Sequence, residues 1–217
     1  IRNEWTNYFR NLFSDTVDPS WDRDFRKEVD DFVENINQSD VCSIPNVDPI
    51  SPQEVNKQIS IMPNGKSPGY DNISIEHYRY AGDNVIKCVT WIINYVLFSG
   101  EIPKYCKKGV LIPIPKAGKD STFKDNNRGL TLMPVIYKII EKVMIERESS
   151  WLHDPSVISE IQSGGQLNSS SLHTSFLTQE ASLYFTSQSM AVIKLYLDAH
   201  KAFDTVWIKG MLYKLYN

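Results

Sequence analysis

Among the 217 residues, the side chains best suited to chemistry are one carboxylate and a small set of cations. From Ala191 to Asp198, alternation puts Ala191, Ile193, Leu195 and Leu197 on one face and Val192, Lys194, Tyr196 and Asp198 on the other. An Asp delivered at the end of a rigid strand suits a divalent-cation ligand, because two-metal phosphoryl transfer needs carboxylates held still against substrate phosphates. The same Asp can instead cap the following turn through local hydrogen bonds, and the pattern alone leaves both roles open. Upstream, Lys104 to Arg128 holds seven Lys or Arg against two Asp. Lys116, Lys119 and Arg128 belong to that stretch. A fixed guanidinium suits phosphate oxygens through paired hydrogen bonds; the plainer alternative is an exposed basic loop. Lys66 opens a third candidate, the turn-rich Lys66-Ser67-Pro68-Gly69-Tyr70-Asp71.

Elements that could position these groups are legible from periodicity. Trp5, Tyr8, Phe9 and Leu12, then Phe25, Val29, Phe32, Val33 and Ile36, recur at helical spacing. Residues 15–40 carry nine acids against three bases, most simply a solvated face. Residues 38–50 read as a linker. Ser51-Pro52-Gln53-Glu54 supplies an N-cap, a first-turn proline and a capping-box glutamate, and that helix stops at Pro63-Asn64-Gly65. Asp83 is positioned to cap a helix through Ile86, Val89, Ile93, Val96 and Leu97 to Gly100, where a C-terminal glycine is favoured. Val110 to Ile114 reads as a strand, at an edge or bulge because of Pro113, with 129–132 as its partner. Pro134 opens a helix carrying Val135, Ile136, Ile139, Ile140 and Val143. A Ser/Gly/Asn-rich segment from Ser159 to Ser171 leads to another, with Leu172, Phe176, Leu177, Ala181 and Tyr184. Met190 to Leu197 is the strongest strand pattern. The expected class is α+β, mostly helical.

Composition narrows the alternatives. With 41% hydrophobic and 23% charged residues, the chain can bury a real core. A formal net charge of −3 gives no overall basic character, so any affinity for a polyanion has to be local. Cys42, Cys88 and Cys106 show no metal-ligand spacing and indicate reduced thiols in an intracellular protein. The histidines, His77, His153, His173 and His200, likewise lack ligand spacing. The longest apolar stretch, Cys88 to Phe98, is about half of the ~20 residues a membrane span needs. Gly65-Lys66-Ser67 ends like a phosphate-binding P-loop, but position 60 is Ser where that motif needs Gly, and a helix precedes it where a strand is required. The chain starts at Ile1, and Met211, Leu212 and Leu215 stop in mid helical pattern, so it reads as an excised piece.

The run Leu195-Tyr196-Leu197-Asp198-Ala199-His200-Lys201-Ala202-Phe203-Asp204 closely resembles motif A of reverse transcriptases of non-LTR (LINE-type) retrotransposons. There a hydrophobic strand precedes the metal-binding Asp and an Ala-Phe-Asp. Other motifs follow family order. Pro103 and Gly109 to Lys119 are similar to a finger segment, with Tyr105 or Cys106 where a Trp is usual. Asn126-Asn127-Arg128-Gly129-Leu130-Thr131-Leu132 resembles the next finger motif. Lys66 to Ile73 is similar to an upstream Lys-x-x-Gly-x-Asp-x-Ile element, and Ser159-Glu160-Ile161-Gln162-Ser163-Gly164 to a Ser-Glu-x-Gln-x-Gly element. Gly165 replaces the Phe after it, and Gln166, Asn168, Ser169 and Ser170 replace the usual basic residues.

The resemblance, from about Ser51 onward, implies a right-hand polymerase. A helical connector would occupy 1–50, fingers 51–189, and the start of the palm, with its first strand, 190–217, the chain stopping before the rest of palm and thumb. It implies an RNA-directed DNA polymerase acting on an RNA template, a DNA primer and dNTP with two Mg²⁺. Asp198 would be the catalytic metal ligand, Arg128 and Lys116 would steady the triphosphate, Phe203 would select the sugar, and Lys66 and Lys119 would face nucleic acid. The expected setting is cytoplasm and nucleus, as a ribonucleoprotein, with no membrane. The family's Tyr-x-Asp-Asp does not occur in these residues, so the piece by itself is expected to be inactive in primer extension. The alternative is a non-catalytic nucleic-acid-binding remnant or a decayed copy.

Overall fold

The computed structural model describes residues 2–14, 22–39, 47–152, 154, 157, 159, 161–165, 169–198 and 202–216. It divides into two compact units, one formed by Ile1–Val143 with Lys201–Asn217 and the other by Met144–His200.

In the first unit, α1 (Arg2–Leu12) and α2 (Arg23–Ser39) are the two N-terminal helices expected from periodicity. The read linker at 38–50 falls mostly outside the described residues, and Ser39 is still helical. α3 (Pro52–Ile61) begins with the full capping box. The Ser51 hydroxyl accepts from the Glu54 N–H at 3.3 Å, and Glu54 accepts from the Ser51 N–H at 2.8 Å. α4 (Ile75–Tyr80) is a short helix that periodicity does not reveal. α5 (Asp83–Ser99) ends at Gly100 in the left-handed conformation, φ 67°, whose N–H donates to the Val96 carbonyl at 3.0 Å. At its start Gly82 is the cap, and Asp83 is the first helical residue.

The polar residues inside the apolar run of α5 have specific tasks. The Thr90 hydroxyl donates to the Ile86 carbonyl at 2.8 Å, and Asn94 exchanges two hydrogen bonds with the backbone of Ile50. Buried apolar side chains of this unit come from α3 (Val55, Ile59), α5 (Ile86, Val89, Ile93, Val96) and α6 (Val135–Arg147; Ile139, Ile140). Each fully buried Val or Ile contributes roughly 1.5–3 kcal/mol relative to exposure.

β1 (Val110–Pro115) and β2 (Asn127–Leu132) form an antiparallel two-stranded sheet, with Val110 opposite Leu132 and Pro115 opposite Asn127. α9 (Ile208–Tyr216) packs on α2. Phe32 meets Tyr213 and Tyr216 edge-on, with centroids 5.0 and 5.2 Å apart. Lys209 pairs with Asp30 at 2.7 Å, and the Tyr213 hydroxyl donates to Glu28 at 2.9 Å. Two acids read as part of a solvated face are thus used in helix pairing.

The second unit holds the end of α6, the short α7 (Ser149–Leu152) and α8 (Ser171–Ser187). α8 buries none of its side chains; Leu172 and Leu177 are exposed. The strongest strand pattern is not a strand. Residues 190–198 are irregular and exposed, with Ile193 94% and Leu197 87% accessible. A β-strand exists only through ladder hydrogen bonds to a neighbour, and among the described residues the only sheet is β1–β2. The first palm strand expected there is therefore corrected to an unpaired segment.

Candidate functional site

Arg128 lies on β2 opposite Ile114. Cross-strand pairing puts Val110, Ile112, Ile114, Arg128, Leu130 and Leu132 on one face of the hairpin. That face is open: Val110, Ile112, Ile114 and Leu130 are between 38% and 46% accessible. Arg128 is exposed and makes no side-chain hydrogen bond or ion pair with another described residue. An unengaged guanidinium on a pleated apolar face is well suited to grip an oxyanion.

The Lys66 loop is held from below by α4. The Arg79 guanidinium donates to the carbonyls of Ile59 (2.9 Å), Ser60 (3.2 Å) and Met62, and to the side-chain oxygen of Asn64. It thereby satisfies the orphan carbonyls at the end of α3. Glu76 accepts the Gly65 N–H at 2.6 Å. Hydrogen bonding from Ser74 and then from the Gly65 backbone holds its carboxyl at about 2, well below the ordinary range. Further on, Gly69 runs against Pro134, and the Tyr70 hydroxyl donates to the Tyr105 carbonyl at 2.9 Å. Asn72 takes a left-handed turn, φ 58°, which Asn tolerates.

These two pieces meet. A cavity of about 390 Å³ is lined by Lys66 and Ser67 from the loop, Leu130 and Leu132 from the Arg128 face, and Lys138 from α6. Lys138 has no counterpart among the motif residues and was missed by sequence; its four-residue spacing from Pro134 at the helix start was the available signal. Arg79 and Glu76 were missed too, because their roles depend on contacts between separate elements.

Lys116 is engaged elsewhere: its ammonium donates to the Asp125 carbonyl at 2.7 Å, and its backbone N–H to the Asn126 carbonyl at 2.8 Å, closing the loop between the strands. Lys119 is exposed in that loop beside Gly118, which turns at φ 69°. Nearby Asp120 caps Thr122 through the backbone N–H and the hydroxyl, which keep its carboxyl below the usual range. Phe203 is 98% accessible in a turn and does not line the cavity. Asp198, in the second unit, is exposed at the end of the irregular segment. His153, His200 and Glu160 lie outside the described residues.

Among the described residues no group of three or more His, Cys, Asp or Glu could hold a metal ion. Asp198 offers a single carboxylate, and one carboxylate does not fix a pair of Mg²⁺ ions; the described residues do not compose that site. No helix among them is long and apolar enough to cross a membrane.

No protein-family model matches the chain. It is 28% identical over 188 residues to the RNA-directed DNA polymerase from mobile element jockey of Drosophila melanogaster, covering 87% of this chain and 20% of that protein. It is 28% identical over 207 residues to the transposon TX1 uncharacterized 149 kDa protein of Xenopus laevis, covering 95% of this chain and 15% of that one. A probable RNA-directed DNA polymerase from transposon X-element of Drosophila melanogaster is 25% identical over 189 residues, 87% of this chain and 21% of its own length. The chain thus spans about a fifth of the curated relatives it matches. Motifs and comparisons agree: over most of its length this chain is similar to the RNA-directed DNA polymerases of non-LTR retrotransposons.

Proposed function

We propose that this chain is a fingers-and-early-palm portion of a reverse transcriptase, and that its hairpin and Lys66 loop form the surface that receives phosphates. The observation that carries the reading is the exposed Arg128 on an apolar strand face whose neighbours Leu130 and Leu132 share a cavity with Lys66. In a complete polymerase Arg128 would hold the triphosphate of an incoming dNTP. Lys66 and Lys119 would contact the backbone of template or primer, and Phe203 would press under the sugar. Lys116 would act on the triphosphate only after leaving the Asp125 carbonyl; in its present place it shapes the loop that carries Lys119. Asp198 would be one of several carboxylates that bind Mg²⁺, the ion that supplies charge stabilisation in nucleotidyl transfer. The 217 residues by themselves are proposed to bind without extending a primer.

The test is binding of labelled single-stranded RNA to the purified chain across a salt series. Phosphate contacts release counterions, so affinity should fall with salt, with a logarithmic slope of about −0.7 per contact for a single strand. Lys66→Ala, Lys119→Ala and Arg128→Ala should each weaken binding and flatten that slope. Unchanged affinity and slope in all three would sink the reading. Mg²⁺-dependent dNTP incorporation by the chain alone would overturn the proposed lack of extension.

A further inference from the structure

A two-stranded hairpin is a poor platform, being marginally stable by itself in water. Here it cannot gain a third strand on the β1 side. Lys116 N–H bonds to the Asn126 carbonyl, so antiparallel alternation makes Ile114/Arg128 and Ile112/Leu130 hydrogen-bonded pairs, and Pro113/Gly129 and Pro115/Asn127 non-bonded ones. The prolines therefore cost no ladder bond, but they occupy the outward positions where another strand would need donors. Among the described residues no strand pairs with β2 on its other side either, which leaves the two faces as sources of rigidity. The Arg128 face is open.

The opposite face receives one residue of α1. Phe9, the only buried residue of that helix, is 6% accessible. Its ring lies so close to β2 that a Cβ on Gly129 would stand 2.8 Å from Cε1, and 3.1 Å from Leu111 Cδ1. Trp5 and Phe13 stack beside it, each with centroids 5.8 Å away. Polar contacts fasten the same helix where β2 begins: the Tyr8 hydroxyl donates to Asp125 at 2.9 Å, and Lys124 pairs with Glu4 at 3.7 Å. The residue under the Phe9 ring is the immediate neighbour of Arg128.

We infer that α1 is the positioning element for Arg128: Phe9, seated on Gly129, fixes the strand from which the guanidinium projects. A helix outside the recognisable motifs thereby sets the strength of the anion grip. The grip rests on the proposed role of Arg128; the seat itself does not.

The experiment pairs amide hydrogen exchange with calorimetric binding of inorganic tripolyphosphate, both on the 217-residue chain. Phe9→Ala should speed exchange at residues 127–132 by about tenfold or more while the amides of α5 hold, as local opening predicts. Tripolyphosphate affinity should fall about threefold to tenfold from lost pre-organisation, and Arg128→Ala should abolish it. Gly129→Ala should loosen the hairpin from the other side. In the double variant the two effects should not add, because without the Phe9 ring the added Cβ loses its closest clash. Unchanged exchange at 127–132, or additive effects, would overturn the seat. If Phe9→Ala also exposes α5, Tyr8→Phe is read by the same criteria. If the intact chain does not bind tripolyphosphate, the role of Arg128 falls and the grip with it, while the exchange data still decide the seat.

Discussion

A Cβ at Gly69 would stand 2.6 Å from the Pro134 nitrogen and 2.7 Å from its Cα. The Lys66 loop thus crosses the start of α6 in backbone contact, against a residue whose ring leaves no freedom to retreat. Gly69→Ala should destabilise the chain by about 1–3 kcal/mol, the range for overpacking. It should lower the urea midpoint without changing the slope. RNA affinity should fall as well, because Lys66 rides on the displaced loop. Gly164→Ala, with nothing within 4 Å, is the control and should stay within about 0.5 kcal/mol. Equal midpoints for the two variants would refute the close approach.

Asn94 and Ile50 form a reciprocal clasp across 44 residues of sequence: the Ile50 N–H donates to Oδ1 at 2.7 Å, and Nδ2 donates to the Ile50 carbonyl at 2.9 Å. Ile50 is buried, so Asn94→Ala strands two backbone groups away from water. The loss should be about 2 kcal/mol or more. Asn94→Asp keeps the acceptor and loses the donor; it should recover part of the deficit at acid pH, where a protonated carboxyl can donate. Thermal melts of both variants at two pH values would check this, and a neutral Asn94→Ala would discard the clasp.

Glu76 gives the Lys66 loop an acid-sensitive fastening. Its carboxyl sits at about 2 instead of the ordinary 4.5, through hydrogen bonds from Ser74 and the Gly65 N–H. A depressed carboxylate contributes its stabilisation fully above its unfolded value and loses it as pH falls through the folded one. The fastening should therefore hold at neutral pH and weaken from about pH 4.5 downward. The Gly65 amide resonance, followed by NMR during an acid titration, should report it, and Glu76→Gln should remove that inflection. An inflection that persists in Glu76→Gln would assign the effect to another group.

Local chemistry made part of this architecture legible. Ser51 and Glu54 announce a capping box, Gly100 a left-handed stop, and the β-branched Val110 to Ile114 a strand, because each rule acts within a few residues. The same rules say less where the answer lies in a partner. Leu172, Phe176 and Leu177 have helical spacing and do lie on a helix, but spacing does not fix burial, and α8 buries none of them. Alternation at 190–198 suits a strand, but no ladder forms there among the described residues. Within the site, Arg128 and Lys66 were visible as residue types in motifs. The cavity that joins Lys66 to Leu130 and Leu132 was not, nor was the bracing by Arg79 and Glu76, because both require packing between elements far apart in sequence. Phe9 shows the same limit: helical spacing marked it as apolar, but only the structure shows it on Gly129.

Thiol reactivity checks the packing around the loop from a different side. Cys88 is exposed on α5, whereas Cys106 is buried beside the Tyr70 contact to Tyr105. Burial pushes the Cys106 thiol up; the charge of Asp71 acts in the same direction, and a hydrogen bond with Tyr105 opposes both. The thiolate is the nucleophile, so Cys106 is disfavoured by access and by ionisation together. Iodoacetamide at mildly alkaline pH should label the exposed Cys88 in the native chain and leave Cys106 untouched until urea unfolds the chain. Peptide mapping by mass spectrometry separates these sites from Cys42, which lies outside the described residues. Tyr70→Phe removes the hydroxyl that ties the loop to the Tyr105 carbonyl and should admit reagent to Cys106 before global unfolding. Labelling of Cys106 at the Cys88 rate in the native chain would show that the loop does not seal that corner.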